Sequence, residues 1–193
     1  MPSEGVQESL AAEEARRLYE EGLSVIPLGA PGETPPGWFR QRCDSDEEAV
    51  DKWPKTPRVK WADYQHRQPS EAELEAWLRN WPRCNWAVVT GRQINVVDAD
   101  NDQAVAFVES GAITRTPRKV VTAKGAHYYY QASERVPVRN SANPLSKIDI
   151  RGFGGYVVAP GSVHATGVIY TEETVSGWGD TSWGELPMLT EAD

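Results

Sequence analysis

The chain has 193 residues, 39% of them hydrophobic and 25% charged, a composition that fits one folded domain with a substantial core and excludes a largely disordered protein. No apolar run approaches the roughly 20 residues that cross a bilayer, and the acidic start lacks the features of a signal peptide, so we expect a cytoplasmic protein without a membrane partner. The net charge of −8 argues against a nucleic-acid partner unless the basic residues are concentrated on one surface.

The N-terminal part is predicted to form a helix and then a short strand. Residues 9–21 have helical spacing of apolar and charged positions, and Gly22 is suited to end the helix. The run 23–28 is typical of a strand, and turn-forming residues follow it. The stretch 38–60 contains several prolines and an acidic cluster, so we predict a long loop with room for one helical turn.

The middle of the chain is predicted to contribute a helix and a pair of strands. Ser70 and Glu73 have the spacing of a capping box, at the start of a helix that should end before Pro82. The β-branched runs 85–91 and 94–98 are separated by a turn and are predicted to pair in the core.

The rest of the chain is predicted to be mainly strand. Residues 103–110 suit a short helix, and further strands are predicted at 119–122, 127–131, 147–151, 156–159 and 168–171. Helices followed by a predominantly antiparallel sheet favour an α+β fold. Residues 172–193 contain no basic residue and are interpreted as an acidic tail or linker, which leaves residues 1–171 as the predicted domain.

Three aspartates are candidate metal ligands. Asp98 and Asp100 are two residues apart at the end of an apolar strand, so both side chains are expected on the same face. Asp149 lies within another short apolar strand, where a charge needs a partner, either a cation or a basic side chain such as Arg151. Magnesium prefers hard oxygen ligands of this kind, and the aspartates therefore predict a divalent-metal site.

Two other interpretations of the acidic run stay open at this point. Asp98, Asp100 and Asp102 could be turn formers that lead into a helix, where aspartates are common caps. The same residues with Glu109 match the spacing of EF-hand calcium ligands, but Gln103 stands where that loop needs glycine, and a strand precedes the run where an EF-hand has a helix.

Two small-residue segments are candidate phosphate contacts. Gly125 lets a ligand approach the backbone, and His127 could donate a hydrogen bond to a phosphate or be a structural histidine bonded to a carbonyl. Residues 160–167 could hold phosphate through backbone amides or could form a hairpin loop. Cys43 and Cys84 form no CxxC pair, so we expect no structural zinc.

Taken together in this order, these segments resemble the bifunctional primase-polymerase branch of the archaeo-eukaryotic primase superfamily, which occurs in plasmids, phages and mobile elements. The resemblance spans roughly residues 10–170. The matching segments are 22–28, Lys60-Trp61, 85–91, 97–100, 122–127, 148–152 and 155–162.

The resemblance implies a mostly antiparallel sheet of the RNA-recognition-motif type that carries the metal site, with an α/β N-terminal module packed beside it. It also implies two magnesium or manganese ions held by Asp98, Asp100 and Asp149, and a contact between His127 and the phosphates of the incoming nucleotide. Some relatives carry a zinc-binding insertion, for which this chain has too few cysteines, so primer initiation without help is in doubt while extension is not. The stretch 29–57 has no obvious counterpart.

The basic residues are concentrated in one part of the chain. Residues 113–170 carry 8 basic and 2 acidic side chains, whereas residues 1–51 carry 4 and 12. The basic stretch could bind DNA or could be a solvated face without a partner. The candidate contacts to the nucleoside triphosphate are Lys124, His127, Ser162 and His164, and those to the template and primer backbone are Arg115, Arg118, Lys119, Arg135 and Arg139.

The resemblance implies template-directed nucleotidyl transfer, in which a primer 3′-hydroxyl attacks the α-phosphorus of a nucleoside triphosphate and pyrophosphate leaves. Single-stranded DNA template, primer and nucleoside triphosphates are then the expected partners of a monomeric protein, with a helicase as a fused or separate partner. A metal-dependent nuclease or phosphodiesterase with the same carboxylates and a non-catalytic module that binds single-stranded nucleic acid are the alternatives.

Overall fold

The computed structural model describes residues 8–133, 137–143, 146–174, 181–190 and 193. The helices are α1 (Leu10–Glu20), α2 (Gly37–Arg40), α3 (Asp46–Lys52), α4 (Glu71–Asn80) and α5 (Asp102–Phe107). The strands are β1 (Val25–Pro27), β2 (Trp86–Val89), β3 (Ile94–Ala99), β4 (Arg118–Val121), β5 (Ala126–Gln131), β6 (Ile148–Arg151), β7 (Tyr156–Val158) and β8 (Thr171–Thr174). Among the described residues, no helix has the length and apolar character that a membrane span requires.

The strands form two antiparallel sheets. One has the order β1-β2-β7 and the other the order β6-β3-β5-β4-β8. Together with the helices, these sheets confirm the predicted α+β class. The closer likeness to an RNA-recognition motif or to the primase fold stays a prediction.

The five-stranded sheet has a hydrophobic core on each face. Val96 and Tyr129 belong to the larger core, which also contains residues of α1, α4 and the three-stranded sheet. Val97 and Tyr128 face the opposite way and pack with α5. Because both faces are covered, all six residues of β3 are buried, and the strand shows a nearly continuous apolar run rather than a simple alternation.

The predicted start of the chain is confirmed in detail. The Ser9 hydroxyl accepts a hydrogen bond from the backbone N–H of Ala12 at 3.3 Å and caps α1. Gly22 ends the helix with φ +92°, a conformation that favours glycine. The capping box of Ser70 and Glu73 is also present at the start of α4.

The stretch 38–60 is more ordered than predicted. It contains α2, α3 and a 3₁₀ turn at Trp53–Lys55. The expectation of a long loop with one helical turn was therefore wrong. Ser45 caps α3 by accepting from the N–H of Glu48, and the acidic first turn of this helix is favourable at the positive end of a helix dipole.

The segment interpreted as an acidic tail takes part in the fold where it is described. β8 pairs with β4, and Trp183 packs its ring 5.5 Å from that of Tyr129, with the Arg118 guanidinium 4.1 Å from the indole. Glu172 is neutralised by ion pairs with Arg17 and Arg118. These described residues are held in the fold because their negative charges are balanced by partners distant in sequence, and the strand predicted at 168–171 lies at 171–174. The domain boundary at residue 171 stays a prediction.

The buried indole of Trp183 provides a test of this packing. Trp183 is 9% exposed and Trp38 is 49% exposed. We expect Trp183→Ala to lower the free energy of unfolding by about 3–5 kcal/mol, because it leaves a cavity against the larger core. The control Trp38→Ala should cost less than about 1 kcal/mol. Chemical denaturation of both variants measures the difference, and equal losses would contradict the packing described here.

Candidate metal and nucleotide site

Three functional side chains lie side by side across neighbouring strands. Asp98 on β3 is directly opposite Asp149 on β6 and directly opposite His127 on β5. Residues that face each other across an antiparallel pair point to the same face of the sheet. This face carries Val96 and Tyr129 and is turned toward the three-stranded sheet.

Asp100 joins this group just beyond the end of β3. Its backbone N–H donates to the carbonyl oxygen of Lys147 at 2.9 Å, which continues the pairing with β6. One carboxylate oxygen from each of Asp98, Asp100 and Asp149 can be chosen so that all lie within 4.8 Å of one another. The three predicted metal ligands therefore converge, although Asp149 is far from the other two in sequence.

The three neighbouring carboxylates affect the side chains around them. Arg151 places its Nη2 atom 2.8 Å from Asp149 Oδ2 and 3.3 Å from Asp98 Oδ2. Partial burial, with the charges of Asp98 and Asp149, raises the pKa of Asp100, and Arg151 opposes the shift. These charges favour a cation among the three carboxylates, and the all-oxygen donor set fits a hard divalent ion such as magnesium.

The two competing interpretations of the acidic run fit the structure less well. The N-cap of α5 is Asn101, whose side chain accepts from the N–H of Ala104 at 2.8 Å, so Asp98 and Asp100 are not the cap. Glu109, which an EF-hand would need as a ligand, instead bonds to Lys119 and to the Tyr128 hydroxyl.

His127 is buried beside the aspartates. Its Nε2 atom lies 3.5 Å from Asp98 Oδ1, and its Nδ1 atom has no hydrogen-bond partner among the described residues. Burial lowers the pKa of His127, and the nearby Asp98 charge only partly offsets this effect. A neutral imidazole is therefore favoured, and it retains one N–H donor.

A cleft of about 340 Å³ opens between the two sheets at this site. Asp98 and Asp100 line one part of it, and the hairpin around Lys124 and the strand β7 line others. Gly125 is essential to this arrangement, because a Cβ atom there would lie 1.9 Å from the carbonyl oxygen of Ala99. The hairpin can thus lie directly against the end of β3.

The structure brings most of the predicted triphosphate contacts to the cleft. Lys124, His127 and His164 line it, with Lys124 exposed and the two histidines buried. Ser162 lies elsewhere: its hydroxyl accepts from the N–H of Trp86 at 3.1 Å and donates to the Trp86 carbonyl at 3.2 Å. Ser162 is therefore already engaged in joining two backbone segments.

The predicted DNA contacts differ in their surroundings. Arg118 pairs with Glu172 and Lys119 with Glu109, so both charges are already balanced. Arg115 and Arg139 are exposed, whereas Arg135 lies outside the described residues. The list that follows from charge clustering stays a prediction.

Sequence reasoning missed several residues of the cleft. Lys55 comes from the 3₁₀ turn in the stretch that has no counterpart in the resemblance, and its carbonyl accepts from the Tyr156 hydroxyl at 3.1 Å. Tyr170 packs beside His127 and His164, with ring centroids 5.9 and 6.4 Å away. The only local signal for Lys55 is its position between two prolines, which does not indicate a binding role.

A comparison with protein families identifies a match over most of the chain. The family model described as bifunctional DNA primase/polymerase, N-terminal, matches residues 15–187. The match covers most of the chain, includes Asp98, Asp100 and Asp149, and extends past the boundary predicted at residue 171. No curated protein matches the chain.

Proposed function

The chain belongs to the bifunctional DNA primase/polymerase family, and from that premise we propose that it catalyses template-directed nucleotidyl transfer at the cleft between its two sheets. In this reaction the 3′-hydroxyl oxygen of a primer forms a bond to the α-phosphorus of a nucleoside triphosphate. The bond from that phosphorus to the bridging oxygen breaks, and pyrophosphate leaves. A role in plasmid, phage or mobile-element replication, a cytoplasmic location, a monomeric state and a helicase partner remain predictions.

The main support for this proposal is a row of three side chains across neighbouring strands, Asp149, Asp98 and His127, with Asp100 beside them. Paired strand positions hold Asp98 and Asp149 together, and Asp98 and Asp100 line the cleft. The chemistry needs positioning and charge stabilisation more than covalent help from the protein, and these groups supply both.

We propose that Asp98, Asp100 and Asp149 hold magnesium or manganese ions. When bound, two such ions stabilise the attacking and leaving oxygens of an in-line displacement. The chain itself contributes the fixed carboxylates and the neighbouring Arg151 cation, which contacts two of them. Arg151 thereby limits the repulsion among the three negative groups.

The cleft also offers lysines that suit the triphosphate. Lys55 and Lys124 both line it, and among the described residues neither has an ion-pair partner within 4.0 Å. Burial lowers the pKa of His164, and the positive charge of Lys55 lowers it further. We assign both lysines, with His127 and His164, to the phosphate oxygens.

Lys55 allows a specific test of this assignment. We expect Lys55→Met to raise KM for the nucleotide about 10- to 150-fold, because a hydrogen bond to a charged group is worth roughly 1.5–3 kcal/mol. Steady-state extension assays over a range of nucleotide concentrations measure the change. The control is Lys52→Met. Lys52 lies in the preceding helix, is paired with Glu48 and does not line the cleft. An unchanged KM in Lys55→Met, or equal changes in both variants, would exclude Lys55 from the phosphate site.

The function itself is tested by incubating the protein with a labelled primer annealed to a longer template, manganese and nucleoside triphosphates. We expect the primer to lengthen. A shortened primer would instead indicate a nuclease, and DNA binding without any change in primer length would indicate a non-catalytic module. Omitting the primer from a parallel reaction tests initiation.

A further inference from the structure

An exposed aromatic ring lies on the turn between β6 and β7, next to the cleft. Gly154 and Gly155 of this turn line the cleft, while the side chain of Phe153 is 41% exposed. Its ring centroid lies 5.5 Å from that of His66, which is also exposed. Phe153 is a member of neither hydrophobic core among the described residues.

The turn is held rigidly from both sides. The Thr90 hydroxyl donates to the Gly152 carbonyl at 2.7 Å, and the Phe153 N–H donates to the Val138 carbonyl at 2.7 Å. The Asn140 side chain accepts from the Gly152 N–H at 2.9 Å and donates to the Gly154 carbonyl at 3.0 Å. The backbone that carries the Phe153 ring is therefore ordered before a ligand arrives, which lowers the conformational entropy that binding costs.

Close packing of glycines reinforces this rigidity. A Cβ atom at Gly152 would lie 2.0 Å from the Val138 carbonyl oxygen, and one at Gly91 would lie 2.3 Å from the Phe153 Cα. The backbone of Phe153 is therefore packed closely against neighbouring segments, while its side chain is exposed to solvent.

We propose that Phe153, backed by His66, is a stacking platform for an unpaired nucleobase of the single-stranded template. This inference rests on the proposed function. Aromatic faces stack on any of the bases and so bind single strands without sequence preference. The exposed Arg139 forms a β-bridge with Phe153 and has no ion-pair partner among the described residues, so it can contact the adjoining phosphate.

The position of the turn favours the template over the incoming nucleotide. The outer edge of β6 is covered by the segment around Ser141, which exchanges two backbone hydrogen bonds with Ile150, but the side chain of Phe153 on the following turn is exposed to solvent. The proposed triphosphate contacts Lys55 and Lys124 line the cleft, whereas Phe153 does not. A long strand therefore has access to Phe153 from outside while a nucleotide occupies the cleft.

The test measures the affinity of the whole chain for a labelled single-stranded oligothymidylate by fluorescence anisotropy, without metal or nucleotide. We expect Phe153→Ala to weaken binding roughly 5- to 150-fold, the range that corresponds to the 1–3 kcal/mol measured per stacked base, and Phe153→Trp to bind like the wild type. The matched control is Phe107→Ala, because Phe107 on α5 is 52% exposed and does not line the cleft. It should leave the affinity unchanged.

A series of oligonucleotides, each with one abasic position, identifies stacking directly. For the wild type, one abasic oligonucleotide should bind more weakly than the intact strand. For Phe153→Ala, the same abasic oligonucleotide and the intact strand should bind equally well, because the ring that stacks on the missing base is already absent. An unchanged affinity in Phe153→Ala, or equal abasic penalties in both proteins at every position, would overturn the inference. A higher KM for the nucleotide with unchanged DNA affinity would overturn it too, by assigning the ring to the incoming base. The binding assay does not measure catalysis. If the wild type fails to extend a primer, the proposed function is rejected, but the binding assay can still test the role of Phe153.

Discussion

Primer extension should fall on the order of a thousandfold or more when Asp98 and Asp100 are both replaced by asparagine. Asparagine keeps the size of the side chain and removes the negative charge, so the change acts on cation binding rather than on packing. Loss of bound ions removes several kcal/mol of transition-state stabilisation, and each 1.4 kcal/mol is a factor of ten in rate. Extension assays with magnesium and with manganese measure the loss.

Thermal unfolding shows whether the same variant has lost its ions. A ligand that binds only the folded state raises the melting temperature, so we expect manganese to stabilise the wild type but not the variant. The variant should remain folded without metal, because it has less repulsion around Asp149 than the wild type. Asp102→Asn is a suitable control, since Asp102 lies two residues further along in α5 and outside the carboxylate group. Unchanged extension by the double variant would refute the catalytic assignment.

The part of the site that depends on local pattern was predictable from the sequence. Side chains two residues apart on a strand point to the same face, so two aspartates with this spacing at the end of an apolar strand are expected side by side. In the structure, Asp98 lies on β3 and Asp100 lies just beyond it. Spacing alone could not join Asp149 to them. The pairing of Asp98 with Asp149 is a long-range property of the sheet, and only the resemblance to a family indicated it.

The features that sequence reasoning missed depend on partners far along the chain. Lys55 reaches the cleft in a turn whose carbonyl is bonded by Tyr156, 101 residues later. Glu172 looks like part of an acidic tail until Arg17 and Arg118 neutralise it. Ser162 has the small-residue surroundings of a phosphate loop, yet its hydroxyl is used by the Trp86 backbone.

Gly125→Ala is expected to damage both stability and activity, although glycine to alanine is among the smallest possible changes. The new methyl group would lie 1.9 Å from the Ala99 carbonyl oxygen and 3.2 Å from the Asn101 nitrogen. Both contacts are with backbone, which cannot rotate away as a side chain can, so the hairpin and the end of β3 must separate. Overpacking of this kind costs about 1–3 kcal/mol and occasionally more.

This separation would move Asp100, which lies between the two contacted residues, and Lys124, which precedes the substituted glycine. Because a displacement of about 1 Å can reduce catalysis roughly 100-fold, we expect extension to fall by at least that factor at a temperature where the variant is still folded. Gly37→Ala is the matched control: a Cβ atom at Gly37 meets no atom within 4 Å, and alanine in a helix should be neutral or stabilise by about 0.4–1 kcal/mol. Chemical denaturation and extension assays on both variants separate the effects. A Gly125→Ala protein with wild-type stability and activity would mean that the hairpin does not lie against β3, and the assignment of Lys124 to the cleft would then fail.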